Sequence, residues 1–404
     1  MLKILLETTD FINNMRKSLC LLPLALGTFG LGMTEFVMMG ILPDTAKSMS
    51  VSIPTAGHFI SFYALGVVFG SILLVLLGRT KPLKNILIAL VTIFTLANLA
   101  SAFAANYNIF CLLRFIAGLP HGAFFGVGAI TAGKLCEAGK KNQAVATMVS
   151  GMTIANLFGI PMGTFISHSF SWRITFLLIG LFGLLVLYSV VKLIPYIKPL
   201  PDTGFRGQFK IFKSPIPWLL IFAVIMGNGG IFCMYSYINP LLVNTSGVAP
   251  KYVSFLMVLA GGGMCLGNTF GGKLSDKFSP ALIAGNTQLI AGIALLMIFF
   301  FAGNPFLAVS LMCVCTACLF AVSAPQQVLL IENAKGGEML GASCSQISFN
   351  LGNAFGAFIG GLPVANGFGY EYTALPGAFF AFIGFSLLFY FYKKYEKIKY
   401  QQID

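Results

Sequence analysis

The chain is short of charge. Only 9% of its 404 residues are Asp, Glu, Lys or Arg, while 57% are hydrophobic. A soluble domain carries about 25% charged residues. Together with a mean hydropathy of +0.88, this scarcity excludes an ordinary water-facing surface and points to an integral membrane protein. Acid is the scarcest charge, with 12 carboxylates against 25 lysines and arginines and a net charge of +13. The excess base does not form one patch; it falls in short clusters between apolar runs, which argues against nucleic acid as a partner. The apolar runs lack the period-two alternation of a membrane β-barrel. No HExxH, GxSxG or paired-carboxylate arrangement is present, so nothing supports an enzyme. Nine cysteines lack the spacing of a secreted disulfide framework. Cys313, Cys315 and Cys318 have no His or acid beside them and read as small apolar residues of one helix, not as metal ligands.

What is present is length without charge. A helix needs about 20 apolar residues to cross a bilayer, and twelve segments qualify: 18–42, 54–77, 84–104, 108–133, 143–167, 173–194, 215–241, 252–272, 280–302, 305–331, 339–365 and 372–392. The expected fold is therefore all-α, with twelve transmembrane helices in two six-helix bundles. Segment 1–17 precedes the first bundle (18–194). A linker, 195–214, rich in Pro, Gly and Lys, leads to the second bundle (215–392), and 393–404 form a tail. Pro120, Pro161, Pro240 and Pro325 offer kink sites. With the N-terminus in the cytoplasm, 21 of the 25 lysines and arginines fall on the cytoplasmic side; Lys47, Arg173 and Lys251 fall outside, and Arg114 lies within a helix. That asymmetry places both ends and the linker in the cytoplasm.

The halves look duplicated. "NLFGIPMGTFIS" (156–167) resembles "NLGNAFGAFIGG" (350–361), and "LLGRTKP" (76–82) lines up with "LSDKFSP" (274–280). The two offsets are nearly equal and join equivalent helices, a mark of secondary transporter folds.

Deep inside the spans, few side chains can ionise: Glu35, Arg114 and His121. The C-terminal half has none. A charge near mid-bilayer costs about 2.5–3.5 kcal/mol on insertion scales, so each asks for a reason. Taking the first helix to end near Pro43, Glu35 lies roughly 12 Å below its outer end, and Arg114 roughly 9 Å down the fourth helix. His121 follows two turns later on nearly the same face, so one polar patch can hold all three. Such a patch can load and release a proton as water access alternates, because a low-dielectric site favours the neutral carboxyl and a neighbouring guanidinium favours the ionised one. It can equally be a Glu–Arg pair that fixes helix packing. Asn228, Tyr235, Tyr237 and Asn239 of the seventh helix, with Gln346, Asn350 and Asn353 of the eleventh, are neutral donors and acceptors. They suit a hydroxylated neutral compound or an amphiphilic drug, or they bond helix to helix. Gly118, Gly122 and Gly126, like Gly159 and Gly163, have the four-residue spacing of close helix packing.

Several stretches resemble the major facilitator superfamily, in its proton-driven drug and sugar efflux branch. "GGKLSDKFSP" (271–280) matches that superfamily's loop motif at Gly272, Leu274, Asp276 and Lys277; the N-half copy has Gly78 where the Asp belongs. "RFIAGLPHGAFFG" (114–126) is similar to the fourth-helix motif of the proton-driven antiporters, and "GMTIANLFGIPMG" (151–163) to part of their fifth-helix motif. The resemblance implies a monomeric carrier that exports a sugar-like or other small neutral molecule, or a range of drugs, against protons and without a cofactor. It also implies that Asp276, flanked by Gly272 and Lys277, latches the cytoplasmic side against the start of the fifth helix near Gln143–Ala144, where a carboxylate is favourable by about 0.3–1 kcal/mol. For the topology, a cysteine placed at Gly204 should stay unlabelled when an impermeant thiol reagent is added outside intact cells; labelling would overturn the assignment.

Overall fold

The structure is a computed structural model that describes residues 2–78, 81–135, 141–199, 212–275, 277–333 and 338–396, with side chains described for 19–73, 81–135, 144–199, 212–275, 277–333 and 343–396. Most of the 195–214 linker and Asp276 of the proposed latch lie outside the described residues. Among the described residues, twelve helices are long and apolar enough to cross a membrane. They are Leu19–Ser48, Ile53–Leu73, Leu83–Ala102, Tyr107–Leu135, Ala144–Ser169, Trp172–Leu193, Pro215–Tyr235, Pro250–Ser275, Pro280–Phe301, Pro305–Glu332, Ser343–Ala365 and Tyr370–Glu396. The protein is thus an all-helical, multi-pass membrane protein. Its even number of spans puts both chain ends at one face; the opposite face is called distal below.

The prolines break the spans where hydrogen bonds are lost. In the fifth, a π-turn at Ala155–Gly159 precedes Pro161. The seventh stops at Tyr235, resumes at Ile238–Pro240 and ends in a π-turn, Leu241–Thr245. The tenth divides into Pro305–Ala321 and Ser323–Glu332, with Pro325 in the first turn of the second piece. Pro120 leaves the fourth helix whole. The first helix corrects an expectation: it does not end near Pro43 but runs to Ser48. Polar side chains serve the carbonyls around that proline. Thr45 donates to Leu42 O at 2.8 Å, and the Asn239 amide donates to Gly40 O. Glu35 therefore sits near the midpoint of its span, roughly 20 Å from Ser48 at 1.5 Å per residue.

Duplication is visible in the packing. A Cβ at Gly66 would strike the Phe115 carbonyl, and one at Gly70 the Leu119 carbonyl; Gly263 meets the Cys313 carbonyl and Gly267 that of Ala317. The second and fourth spans thus cross as the eighth and tenth do, 197 or 198 residues later. Gly151 against Ala25 O likewise recurs as Gly352 against Ile225 O. Lipid gives helices no hydrophobic reason to associate, so close backbone approach across small residues does that work. Gly126 is an exception to the expected packing role, since nothing lies within 4 Å of the position its Cβ would take.

Between the halves, the distal face is closed. Ser61 donates to Ala354 O at 2.9 Å, joining the second and eleventh spans, and Asn239 joins the seventh to the first at Gly40. Near mid-depth the fifth and eighth spans cross, with Gly261 on the Asn156 carbonyl and Cys265 Sγ 3.7 Å from Thr153 O.

Gly267→Ala should therefore force the eighth and tenth helices apart and destabilise the protein by about 1–3 kcal/mol, whereas Gly126→Ala should leave its stability unchanged. Thermal unfolding of both purified variants in detergent checks the contrast; equal melting temperatures would overturn the packing account.

Candidate functional site

Three consecutive residues of the first helix point three ways, because each turns about 100° from the last. Thr34 faces the third and fourth spans: its hydroxyl donates to Asn98 Oδ1 at 2.6 Å, and its carbonyl and hydroxyl oxygens accept from Arg114 Nη1 at 2.9 and 3.2 Å. Glu35 faces the fourth and eleventh: its Oε2 lies 3.8 Å from His121 Nε2, and its Oε1 accepts from Asn353 Nδ2 at 3.4 Å. Phe36 faces the other half, stacked against Phe232 of the seventh span at 6.4 Å and tilted against Phe320 of the tenth at 5.9 Å. Glu35 is 1% exposed, so no water-facing surface dilutes these contacts.

Tyr63 of the second span ties the two basic residues together. Its hydroxyl is 2.9 Å from His121 Nδ1, and its ring lies under the Arg114 guanidinium at 4.3 Å from the centroid. When the phenol donates to Nδ1, the imidazole carries its hydrogen on Nε2, towards Glu35. Phe125, one turn further along the fourth helix, stacks on the imidazole at 5.3 Å. The result is a buried chain of polar groups, Asn98–Thr34–Arg114–Tyr63–His121–Glu35–Asn353, which runs through the first four spans and ends in the opposite half.

The patch expected from the sequence exists, but Arg114 and Glu35 form no ion pair. Thr34 and Glu35 diverge around the helix, and the guanidinium follows Thr34. Its Nε donates to Phe59 O at 3.3 Å, while Nη2 is buried without a hydrogen-bond partner. Carbonyl dipoles and the faces of Tyr63 and Phe176 surround the cation in place of a carboxylate.

The neutral residues of the C-terminal half divide into groups. Asn353 joins Glu35. Asn228 donates to Gln326 Oε1 at 3.3 Å, leaving Asn228 Oδ1 and Gln326 Nε2 buried and unpaired. Asn350 donates to the backbone of the half-buried Gln346 at 3.0 Å, and its Oδ1 is unpaired. Tyr235 is buried. Tyr237 and Asn239 lie near the distal face and bond to backbone, Tyr237 donating to Ala357 O at 2.7 Å; these two fasten helices. At the other face, Lys277 is exposed and Gly272 half-buried with open space beside it.

Sequence reasoning missed Thr34, Tyr63, Asn98 and Gln326. Asn98 and Gln326 are amides within otherwise apolar runs, a signal as readable as that of Asn228, and Tyr63 is a phenol within one, like Tyr235. Thr34 gave none, since single Ser and Thr hydroxyls in apolar helices usually return to their own backbone, as Ser71 does to Val67 O.

The comparisons agree with this architecture. The family model described as Major Facilitator Superfamily matches residues 24–343. The chain is 46% identical over 377 residues to the AraJ protein of Escherichia coli (strain K12), covering 93% of this chain and 95% of that one. It is 37% identical over 373 residues to the inner membrane transport protein YdhP of the same organism, covering 91% and 95%. Among solved structures, a bacterial homologue of the human lysosomal transporter Spinster, inward-facing and unoccupied, superposes with a TM-score of 0.69 at 18% identity, over 95% of this chain and 98% of that one; this likeness bears on the fold alone. The chain belongs to the Major Facilitator Superfamily and is a membrane transporter, not an enzyme.

Proposed function

We propose that the protein is a proton-coupled antiporter, which exports a sugar-like or other small neutral compound across the bacterial inner membrane by alternating access. The carrying observation is Glu35. It is the one acidic residue far from a span end, it is buried at the seam between the halves, and its partners are an imidazole and an amide. A structural carboxylate would be expected to rest on the nearby arginine; this one is left to exchange a proton. The proton gradient is the energy source in this reading, and no cofactor takes part. His121, held by Tyr63, presents its imidazole 3.8 Å from the carboxyl, and Arg114 anchors the surrounding helices. Both chain ends lie in the cytoplasm, as the distribution of base implies, so the distal face is periplasmic.

The cargo follows from what the other half lacks. Its deep polar groups are amides, among them the unpaired atoms of Asn228, Gln326 and Asn350. Hydroxyl groups can satisfy amide donors and acceptors without introducing charge. One observation favours a broader, drug-exporting specificity: Phe36, Phe232, Phe320 and Phe349 form an aromatic cluster across the seam, which suits apolar surfaces.

In proteoliposomes screened with sugars and cationic dyes, the protein should concentrate a sugar-like compound in step with an imposed pH gradient. Glu35→Gln should still exchange that substrate but lose the pH-driven accumulation. A glutamine variant that concentrates substrate with ΔpH as the parent does would remove Glu35 from coupling, and dye transport without sugar transport would favour the drug-exporting reading.

A further inference from the structure

The Glu35 carboxyl is shared between the halves. On its own side it meets His121; across the seam it meets Asn353 of the eleventh span, which is fully buried. Asn353 Nδ2 donates to Glu35 Oε1, while Asn353 Oδ1 is buried without a partner. The contact lies near the middle of the first and eleventh spans, one residue before the Ala354 carbonyl that accepts from Ser61 of the second span. Parting the halves from the distal face down to this depth must break it.

We propose, on the reading of Glu35 as the proton site, that Asn353 is the residue through which the opposite half senses whether Glu35 carries a proton. A protonated carboxyl and a primary amide are complementary: the amide N–H donates to one carboxyl oxygen, and the carboxyl O–H donates to the amide oxygen. The proton therefore gives the orphaned Oδ1 its missing donor and completes two bonds across the seam. When the proton leaves, the carboxylate keeps only the N–H bond, Oδ1 is again unpaired, and the enclosed charge forms no direct ion pair with Arg114. An unsatisfied buried polar group is costly, and more so when charged. Proton loading thus favours the form with the distal face closed, and proton loss favours opening it to water. This is the sign antiport requires: the protein closes distally with a proton, releases it on the other side, and reopens without it.

The other titratable groups near Glu35 do not duplicate this function. His121 and Arg114 on the fourth span and Tyr63 on the second belong to the same half and move with Glu35. The seventh span presents Cys233, Tyr235 and Tyr237, with Tyr237 engaged by the Ala357 carbonyl. In the fifth, sixth and eighth spans, no acidic or basic side chain lies away from the helix ends. Among the described residues, Asn353 is the one side chain of the C-terminal half that bonds to the carboxyl.

The test reads conformation and needs no known substrate. Spin labels at Lys47→Cys and Ala365→Cys, both exposed at the distal face in opposite halves, are placed in a background without reactive native thiols, and the distance between them is measured across pH. The parent should shift from a short to a long distance as pH rises, its short-to-long ratio changing about ten-fold or more. Asn353→Ala should flatten that change to about two-fold or less, Asn353→Gln should restore part of it, and Glu35→Gln should hold the short distance at every pH, since an amide pair also completes two bonds. If Asn353→Ala is not monodisperse, Asn353→Ser, too short to reach the carboxyl, is read in its place. An alanine or serine variant with the parent's pH profile overturns the role of Asn353 while leaving Glu35 as the proton site. A parent, or a Glu35→Gln variant, whose pH response does not depend on Glu35 overturns the proton site itself and this inference with it.

Discussion

A carboxyl group closed into a seam between two halves, with an arginine nearby but not paired to it, is the constraint from which the rest of the protein can be understood. In low dielectric an isolated charge is expensive, and the arrangement around it must either neutralise it or let water reach it. Glu35 is given an imidazole on one side and an amide on the other. Neither is a permanent charge, so the state of the site depends on a proton rather than on a fixed ion pair. That makes the conformation of the seam a chemical variable.

The scaffold is built so that movement can occur there. Within each half, glycines bring backbones into contact at corresponding crossings: the second span on the fourth, the eighth on the tenth, the first on the fifth and the seventh on the eleventh. These contacts are tight and leave little room for sliding. Between the halves, the second span lies along the eleventh, with Ser61 on the Ala354 carbonyl; Asn239 fastens the distal end at Gly40, and Asn353 meets Glu35 near mid-depth. The fifth and eighth helices also meet at mid-depth, beside the π-turn of Ala155–Gly159. Two halves that meet along these helices can rock about the mid-depth contact.

Much of this was legible in the sequence, because bilayer thickness and the cost of charge leave clear marks. All twelve spans could be read from apolar length, and Glu35, Arg114 and His121 from being ionisable where that is costly. The breaks near Pro161, Pro240 and Pro325 follow from the missing N–H. The first helix runs on past Pro43, one turn beyond the end expected from that proline, because a proline inside a helix removes one bond and does not by itself end it. Arg114 and Glu35 share a depth, yet depth says nothing of azimuth, and the 100° between residues 34 and 35 separates them. Asn353 was legible only as one of several amides; its link to Glu35 exists solely because the two halves fold against each other.

Arg114 completes the division of labour. An arginine deep in a membrane protein invites an electrostatic role, but its bonds run to the backbone carbonyls of Thr34 and Phe59, and its face lies on Tyr63. Those atoms belong to the first and second spans, while the arginine belongs to the fourth, so one guanidinium clamps three helices of the same half. Tyr63 also holds the His121 ring, so the clamp fixes the imidazole that faces Glu35. A site whose own half is held this firmly cannot respond to a proton by rearranging internally. On the proposed reading, a change of proton at Glu35 is therefore felt across the seam, at the amide of Asn353.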